Sequence, residues 1–241
     1  MIKLPLKDDI NLLEVKRMIS KLNEEREWNH NFVISDNTTE IYTKENMTNI
    51  SKNVGHNQVK WSRIESILNQ PYIKSKLDIK NTKIIDIGCS DGYFVYKAKE
   101  MGADYVYGFD IDSKRIKKAN YLKNNVFNVN NIYFDTSNIY NCDFDKYKTN
   151  KFDMAFCLGF LHRVPDFYCV LKRITEISKG IIVEFKSLND ERSICLWGGG
   201  NSKSNKYNKL YFIPSCRCVA DILSSLGYKH IYIFPDRQSN L

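Results

Sequence analysis

A doubly wound α/β fold, built on a mostly parallel sheet, is predicted by three features of the sequence. From residue 83 onward, short apolar runs alternate with segments of helical period. The runs are continuously apolar, as strands covered on both faces are. The first of them, Lys83-Ile84-Ile85-Asp86-Ile87, ends in a turn of small residues, where such sheets bind ligands.

The elements are read in chain order. Leu12, Val15, Ile19 and Leu22 share one face of a helix over 9–27, with Asp8 or Asp9 placed to cap it. Residues 35–57 are rich in Asn, Thr, Ser and Lys with little periodicity, which predicts a mobile loop or gate. A short helix carrying Trp61, Ile64, Ile67 and Leu68 follows, closed by Pro71. After the strand at 83–87, a helix with Phe94, Ala98 and Met101 stops at Gly102. Tyr105–Phe109 is the second strand, followed by a basic helix bearing Ile116, Ala119 and Leu122. Asn131–Phe134, Phe152–Leu158 and Ile181–Phe185 are further strands, the last two separated by a helix over Asp166–Ser178. A helix near 215–226 and a strand at Tyr228–Phe234 complete the chain. Residues 1–75 read as a helical and gate segment, and 76–241 as the sheet domain.

The chain has 241 residues, 43% hydrophobic and 27% charged, enough for one complete core in a soluble globular protein. No apolar run marks a signal peptide or reaches the roughly 20 residues that cross a bilayer, so the expected compartment is the cytoplasm. Seven cysteines stand at irregular spacings, without the paired C-x-x-C ligands of a zinc site. They read as free thiols, and no metal is expected. The net charge of +8 suits an anionic partner such as RNA or a phosphorylated metabolite. The lysines are scattered, however, and an abundance of Lys, Asn, Ile and Tyr accounts for the same figure.

The chemistry concentrates in Asp86-Ile87-Gly88-Cys89-Ser90-Asp91-Gly92. Small residues at 88, 90 and 92 let the backbone turn sharply and let a ligand lie against main-chain amides. Asp110 ends the next strand, where a carboxylate can accept both hydrogen bonds of a ribose diol; its other reading is a cap for the following helix. A dinucleotide fingerprint would need glycines at 88, 90 and 93, but the chain has Ser90 and Tyr93. The Gly-Lys-Ser/Thr of a phosphate-cradling loop does not occur.

The loop resembles the G-x-G-x-G motif of class I S-adenosylmethionine-dependent methyltransferases, with Ser90 at the middle glycine. The resemblance implies the Rossmann-like, mostly parallel seven-stranded sheet of that class and S-adenosylmethionine as cofactor. Gly88, Cys89 and Ser90 would pass under its methionine part, Asp110 would hold the ribose and Ile111 would pack on adenine. Asp86, Gly92, Asp135, Thr136 and Leu158 join this cofactor set. The segment Leu158-Gly159-Phe160-Leu161-His162-Arg163 resembles the fourth-strand tip beside the transferable methyl. There His162 is the candidate base, or else a histidine that positions substrate or touches the cofactor. Glu184 is a candidate for orienting a substrate hydroxyl, and His56 a further candidate for the acceptor side.

Three further pieces narrow the resemblance: Val59-Lys60-Trp61-Ser62-Arg63-Ile64, Gly159-Phe160-Leu161 and Tyr211-Phe212-Ile213-Pro214-Ser215. Together they are similar to the bacterial tRNA wobble-uridine carboxymethyltransferase family and its sugar- and small-molecule-modifying relatives, over residues 55 to 235. By that resemblance Lys60 approaches the cofactor, and Tyr207 and Tyr211 line the acceptor side. The chain departs from the tRNA enzymes in lacking their Trp-Arg-Lys-Gly-Pro-Phe segment, whose lysine reads the extra carboxylate of carboxy-S-adenosylmethionine. Gly55 and Val59 also stand near positions where they have tryptophans. A buried carboxylate without a partner is costly, so plain S-adenosylmethionine is the expected cofactor. The acceptor is expected to be a small molecule, phosphorylated or a nucleotide sugar, with Arg63, Arg163 or Arg192 holding phosphates. The alternatives are a tRNA-modifying enzyme and a noncatalytic cofactor-binding module; the expected state is a monomer or homodimer, off the membrane.

Overall fold

The computed structural model describes residues 2–30, 32–35, 40–42, 50–144, 150–199 and 210–234. Its centre is a parallel sheet of β3 (Lys83–Ile87), β4 (Tyr105–Asp110), β5 (Ile132–Thr136), β6 (Phe152–Leu158) and β7 (Ser178–Glu184), ordered β5-β4-β3-β6-β7. The doubly wound sheet is present, with five strands among the described residues rather than the seven expected. Two antiparallel pairs form separate small sheets: β1 (Val33–Ser35) with β2 (Glu40–Tyr42), and β8 (Cys195–Gly199) with β9 (Leu210–Pro214).

Strand side chains alternate between faces, and this alternation divides the core in two. Ile84, Val106, Ile132, Phe134 and Phe156 point to one side, where they meet α1 (Leu12–Glu25), α2 (Ile50–Leu68), α4 (Tyr93–Glu100) and α5 (Ser113–Asn125). Their odd-numbered neighbours Ile85, Ile87, Tyr107, Phe109, Ala155 and Cys157 point to the other, under α6 (Phe167–Ile177) and α7 (Cys216–Ser225). Each fully buried aliphatic side chain contributes about 1.5–3 kcal/mol. Both layers are needed, because a strand apolar on both faces has no side to turn to water.

Local signals set most helix ends. Asp112, Asp166 and Ser215 cap α5, α6 and α7 by accepting the N–H of Lys114, Cys169 and Cys218. The cap of α1 is Asn11, which accepts the N–H of Glu14; Asp8 and Asp9 lie too far upstream. Gly102, at a φ of 99°, follows α4, where only glycine adopts such a backbone without strain.

Three expectations are corrected. The loop predicted over 35–57 contains β2 and the first turns of α2. The second half of α2 carries a buried apolar stripe (Trp61, Ile64 and Leu68), and the helix propagates upstream from it at one hydrogen bond per residue. Pro71 opens a further short helix, α3 (Pro71–Lys74), as its first residue. Tyr228–Phe234 forms no ladder among the described residues, although Tyr228 and Ile231 pack on the α6 side of the core. Trp197-Gly198-Gly199 lies in strand β8, paired residue by residue with β9.

Candidate active site

The chain builds β3, β4 and β5 outward in one direction, then returns to lay β6 on the other side of β3. This reversal opens a crevice at the carboxyl ends of β3 and β6, the position at which such sheets take ligands. The loop after β3 lines it. Gly88, Ser90 and Gly92 all have left-handed backbones, at φ of 71°, 57° and 86°. A side chain on Gly88 would collide with the Phe160 ring, 2.5 Å from where its Cβ would stand. Ser90 pays a strain of roughly 1–2 kcal/mol for this backbone. Its N–H donates to Asp110 Oδ2 at 2.9 Å, and its hydroxyl accepts from Arg115 at 3.0 Å.

Asp110 Oδ1 accepts the N–H of Asp112 at 2.9 Å, while Asp112 itself caps α5. Asp110 therefore braces the glycine loop at the end of β4, and the capping role belongs to its neighbour. Ile111 beside it is 69% exposed, an apolar surface at the crevice edge. Asp135 accepts the Tyr107 hydroxyl at 2.8 Å, and Thr136 pairs in register with Asp110. Cys89, buried under the loop, donates its N–H to the Phe109 carbonyl at 2.9 Å.

Beneath the loop, Asp86 is buried with no hydrogen-bond partner for Oδ2 among the described residues. Burial, and then the Asp110 carboxylate, push its pKa up to about 8 against the pull of Lys60. Lys60, on α2, donates to Glu184 Oε2 at 2.7 Å. Leu158, at the end of β6, pairs in register with Glu184 at the end of β7. Gly159 then turns beside the Lys60–Glu184 pair with a φ of 66°, a backbone that favours glycine. His162 follows in a short helical turn, Leu161–Arg163, half-buried and within electrostatic reach of both members of that pair.

Lys60, Glu184, His162, Asp86 and the loop thus lie together at the carboxyl ends of the strands. Arg63 and Arg163 are exposed. Arg192 is bound by Asp190 through two hydrogen bonds of 2.7 and 3.0 Å, so an acceptor phosphate would have to displace a carboxylate. His56 and Tyr211 are placed by backbone alone, in α2 and β9, and Tyr207 lies outside the described residues.

A second group of residues went unanticipated. Asp91, in the middle of the loop, is fully buried and accepts the backbone N–H groups of Asn29 at 2.6 Å and His30 at 3.0 Å. Its other oxygen pairs with the His30 ring. That ring lies against Tyr93 and Phe94, with centroids 5.5 Å away. Nearby, the buried amine of Lys118 sits over the Trp28 ring and donates to the Arg26 carbonyl. Burial is the main cause that lowers its pKa to about 8. An acid inside the glycine loop was visible in the sequence, whereas its partner 61 residues upstream was not.

The methyltransferase domain family matches residues 78–225, and the chain belongs to it. It is a class of enzymes served by S-adenosylmethionine as donor. Among curated relatives, the chain is similar to the tRNA U34 carboxymethyltransferase of Aliarcobacter butzleri, 27% identical over 71% of this chain and 54% of the relative. That of Nautilia profundicola is 25% identical over 70% of this chain and 55% of its own length. The chain spans about half the length of these relatives. The Campylobacter lari protein of that name is 25% identical over 92% of this chain and 79% of its own length. Among solved structures, the N-terminal domain of EvdMO1, crystallised in the presence of SAH and D-fucose, superposes with a TM-score of 0.65 at 16% identity. The match covers 95% of this chain and 92% of that one. An S-adenosylmethionine-dependent methyltransferase from Mesorhizobium loti gives a TM-score of 0.51 at 17% identity, over 65% and 79%. These likenesses show the class I methyltransferase fold. Among the described residues, no helix is long and apolar enough to cross a membrane.

Proposed function

We propose that the protein transfers a methyl group from S-adenosylmethionine to a hydroxyl of a small polar acceptor. A nucleotide-linked or surface-polysaccharide sugar in the cytoplasm is the leading candidate. The observation that carries this reading is the left-handed Gly88–Ser90–Gly92 loop braced by Asp110 at the reversal point of the sheet. The cofactor supplies a methyl already activated on a sulfonium. Gly88, Cys89 and Ser90 bear its methionine part, Asp110 its ribose, and Ile111, Asp135 and Thr136 its adenine side. Gly92 and Leu158 shape the crevice, and Arg63 and Arg163 are the cations assigned to acceptor phosphate. Residues 1–75 act as a cover, and 76–241 as the catalytic domain. Alignment and exclusion of water supply most of the rate, up to ~7–11 kcal/mol where reactants are well oriented. Assistance to the leaving proton adds a smaller ~10²–10⁴-fold.

Carboxymethyl transfer to wobble uridine is the second reading, favoured by the names of the curated relatives. Against it, Lys60 is already held by Glu184, so an extra carboxylate on the donor would meet a carboxylate as well as an ammonium. Calorimetry with S-adenosylmethionine and carboxy-S-adenosylmethionine decides between them. Tighter binding of the plain form is the expected outcome. Tighter binding of the carboxylated form transfers the assignment to wobble uridine, with salt-sensitive tRNA binding to be sought. Binding of neither removes both.

The same titration reads Asp86. With its pKa raised to about 8, this carboxyl holds a proton near pH 7. A cationic ligand placed beside it favours the charged form, so cofactor binding should release a proton. The apparent binding enthalpy near pH ~7 is then expected to vary with the ionisation enthalpy of the buffer. Asp86→Asn should remove that variation; a wild-type enthalpy independent of buffer would refute the link.

A further inference from the structure

The turn Leu161–Arg163 places the His162 ring against the chain leaving β7. There the backbone N–H of Lys186 donates to His162 Nδ1 at 3.4 Å. A neutral imidazole carries one hydrogen, and a ring nitrogen that accepts cannot hold it. The hydrogen is therefore on Nε2. Four charged groups act on the ring: Arg163 from its own turn, Glu184 from β7, Lys60 from α2, and Lys186. Burial, followed by the three cations, lowers the imidazole pKa despite the opposing pull of Glu184. Near neutral pH the ring is uncharged, and the nitrogen it presents is a donor.

Glu184, whose charge reaches the ring, is of opposite character. Glu184 has a 44% exposed side chain, and Lys60 engages its Oε2. A hydroxyl is the simple group that satisfies both partners, since its oxygen accepts one hydrogen bond while its hydrogen donates another. A protonated amine has no lone pair for His162, and a carboxylate has no hydrogen for Glu184.

We propose that His162 is a fixed Nε2–H donor that positions the acceptor oxygen, and that Glu184, held by Lys60, receives the hydroxyl's hydrogen bond. The pair selects a hydroxyl, whose proton passes along its hydrogen bond to Glu184 as the oxygen takes the methyl, and His162 does not take it. This rests on the reading of the site as one for methyl transfer to oxygen, and it replaces the expectation of a histidine base.

Nitrogen NMR of the full-length protein labelled with ¹⁵N-histidine tests the assignment without any acceptor, with His162→Gln identifying the resonances. The Nε2–H tautomer should dominate near pH ~7. Lys186→Ala keeps the backbone N–H and should leave the tautomer unchanged. Lys186→Pro removes it and should shift the ring toward a mixture; Lys186→Ala carries the test if the proline variant does not fold. In Glu184→Gln the His162 titration should move to lower pH, because the group that raises its proton affinity among the described residues is gone. An Nδ1–H tautomer, an imidazolium near neutral pH, or an unmoved titration in Glu184→Gln would each overturn the proposal. Because the tautomer is read in the ligand-free protein, its failure is distinct from a failure of the cofactor assignment, which calorimetry reports.

Discussion

Asp110→Ala is expected to weaken S-adenosylmethionine binding by about 100-fold, about 3 kcal/mol, in a calorimetric titration. Two effects combine. A ribose diol loses a charged acceptor, at ~1.5–3 kcal/mol per hydrogen bond. The Ser90 amide also loses the oxygen that holds it in a left-handed backbone. Asp110→Asn separates the effects: one side-chain oxygen remains to brace Ser90, while the charge is gone, so an intermediate loss is expected. Because the carboxylate does not cap α5, helix content should change little in either variant. Wild-type affinity in Asp110→Ala would remove the residue from the cofactor site. A collapse of helical signal would show that it acts through the fold.

Asp91→Ala should be the most destabilising single change at the site, costing about 3–5 kcal/mol in urea unfolding and lowering Tm by on the order of 10 °C. The substitution strands the backbone N–H groups of Asn29 and His30 and the His30 ring in a buried place. It also frees residues 29–30 from the glycine loop proposed to bear the cofactor, so affinity and stability should fall together. The link is pH-dependent. Burial works to raise the Asp91 pKa, but the His30 ring and the two N–H donors outweigh it and hold the carboxyl below the usual carboxylate range. Its stabilisation is thus fully present above the unfolded value of ~3.9. It is lost as the pH falls through the lower folded value. Wild type should lose stability on acidification through that window, and Asp91→Ala should show a flatter acid limb. Equal acid limbs would assign the pH sensitivity elsewhere.

These two carboxylates differ in how far they could be read beforehand. Asp110 announces itself by position, as the acid that ends the strand after a glycine loop. Asp91 lies in the same loop, but its partners are 61 and 62 residues away, and no local pattern connects them. Lys118 is similar. It falls in a basic helix, yet it is buried against Trp28 and the Arg26 carbonyl. Glu184 and Lys60 stood out singly, whereas their 2.7 Å ion pair depends on α2 crossing the end of β7.

The pattern of residues by itself determined the sheet and the loop. Apolar runs of strand length, helical period between them and small residues at 88, 90 and 92 act over a few residues, where backbone sterics and burial leave one outcome. The same local rules overreached where pairing decides: Tyr228–Phe234 has the composition of a strand without a ladder, and Gly198–Gly199 the composition of a loop within one. Tertiary structure decided which nitrogen of His162 carries the hydrogen, which oxygen of Glu184 is engaged and how residues 29–30 are tied to the cofactor loop. Each rests on a hydrogen bond between segments far apart in the chain. Hydrogen bonds have the range of a single contact, so only the folded arrangement can choose their partners.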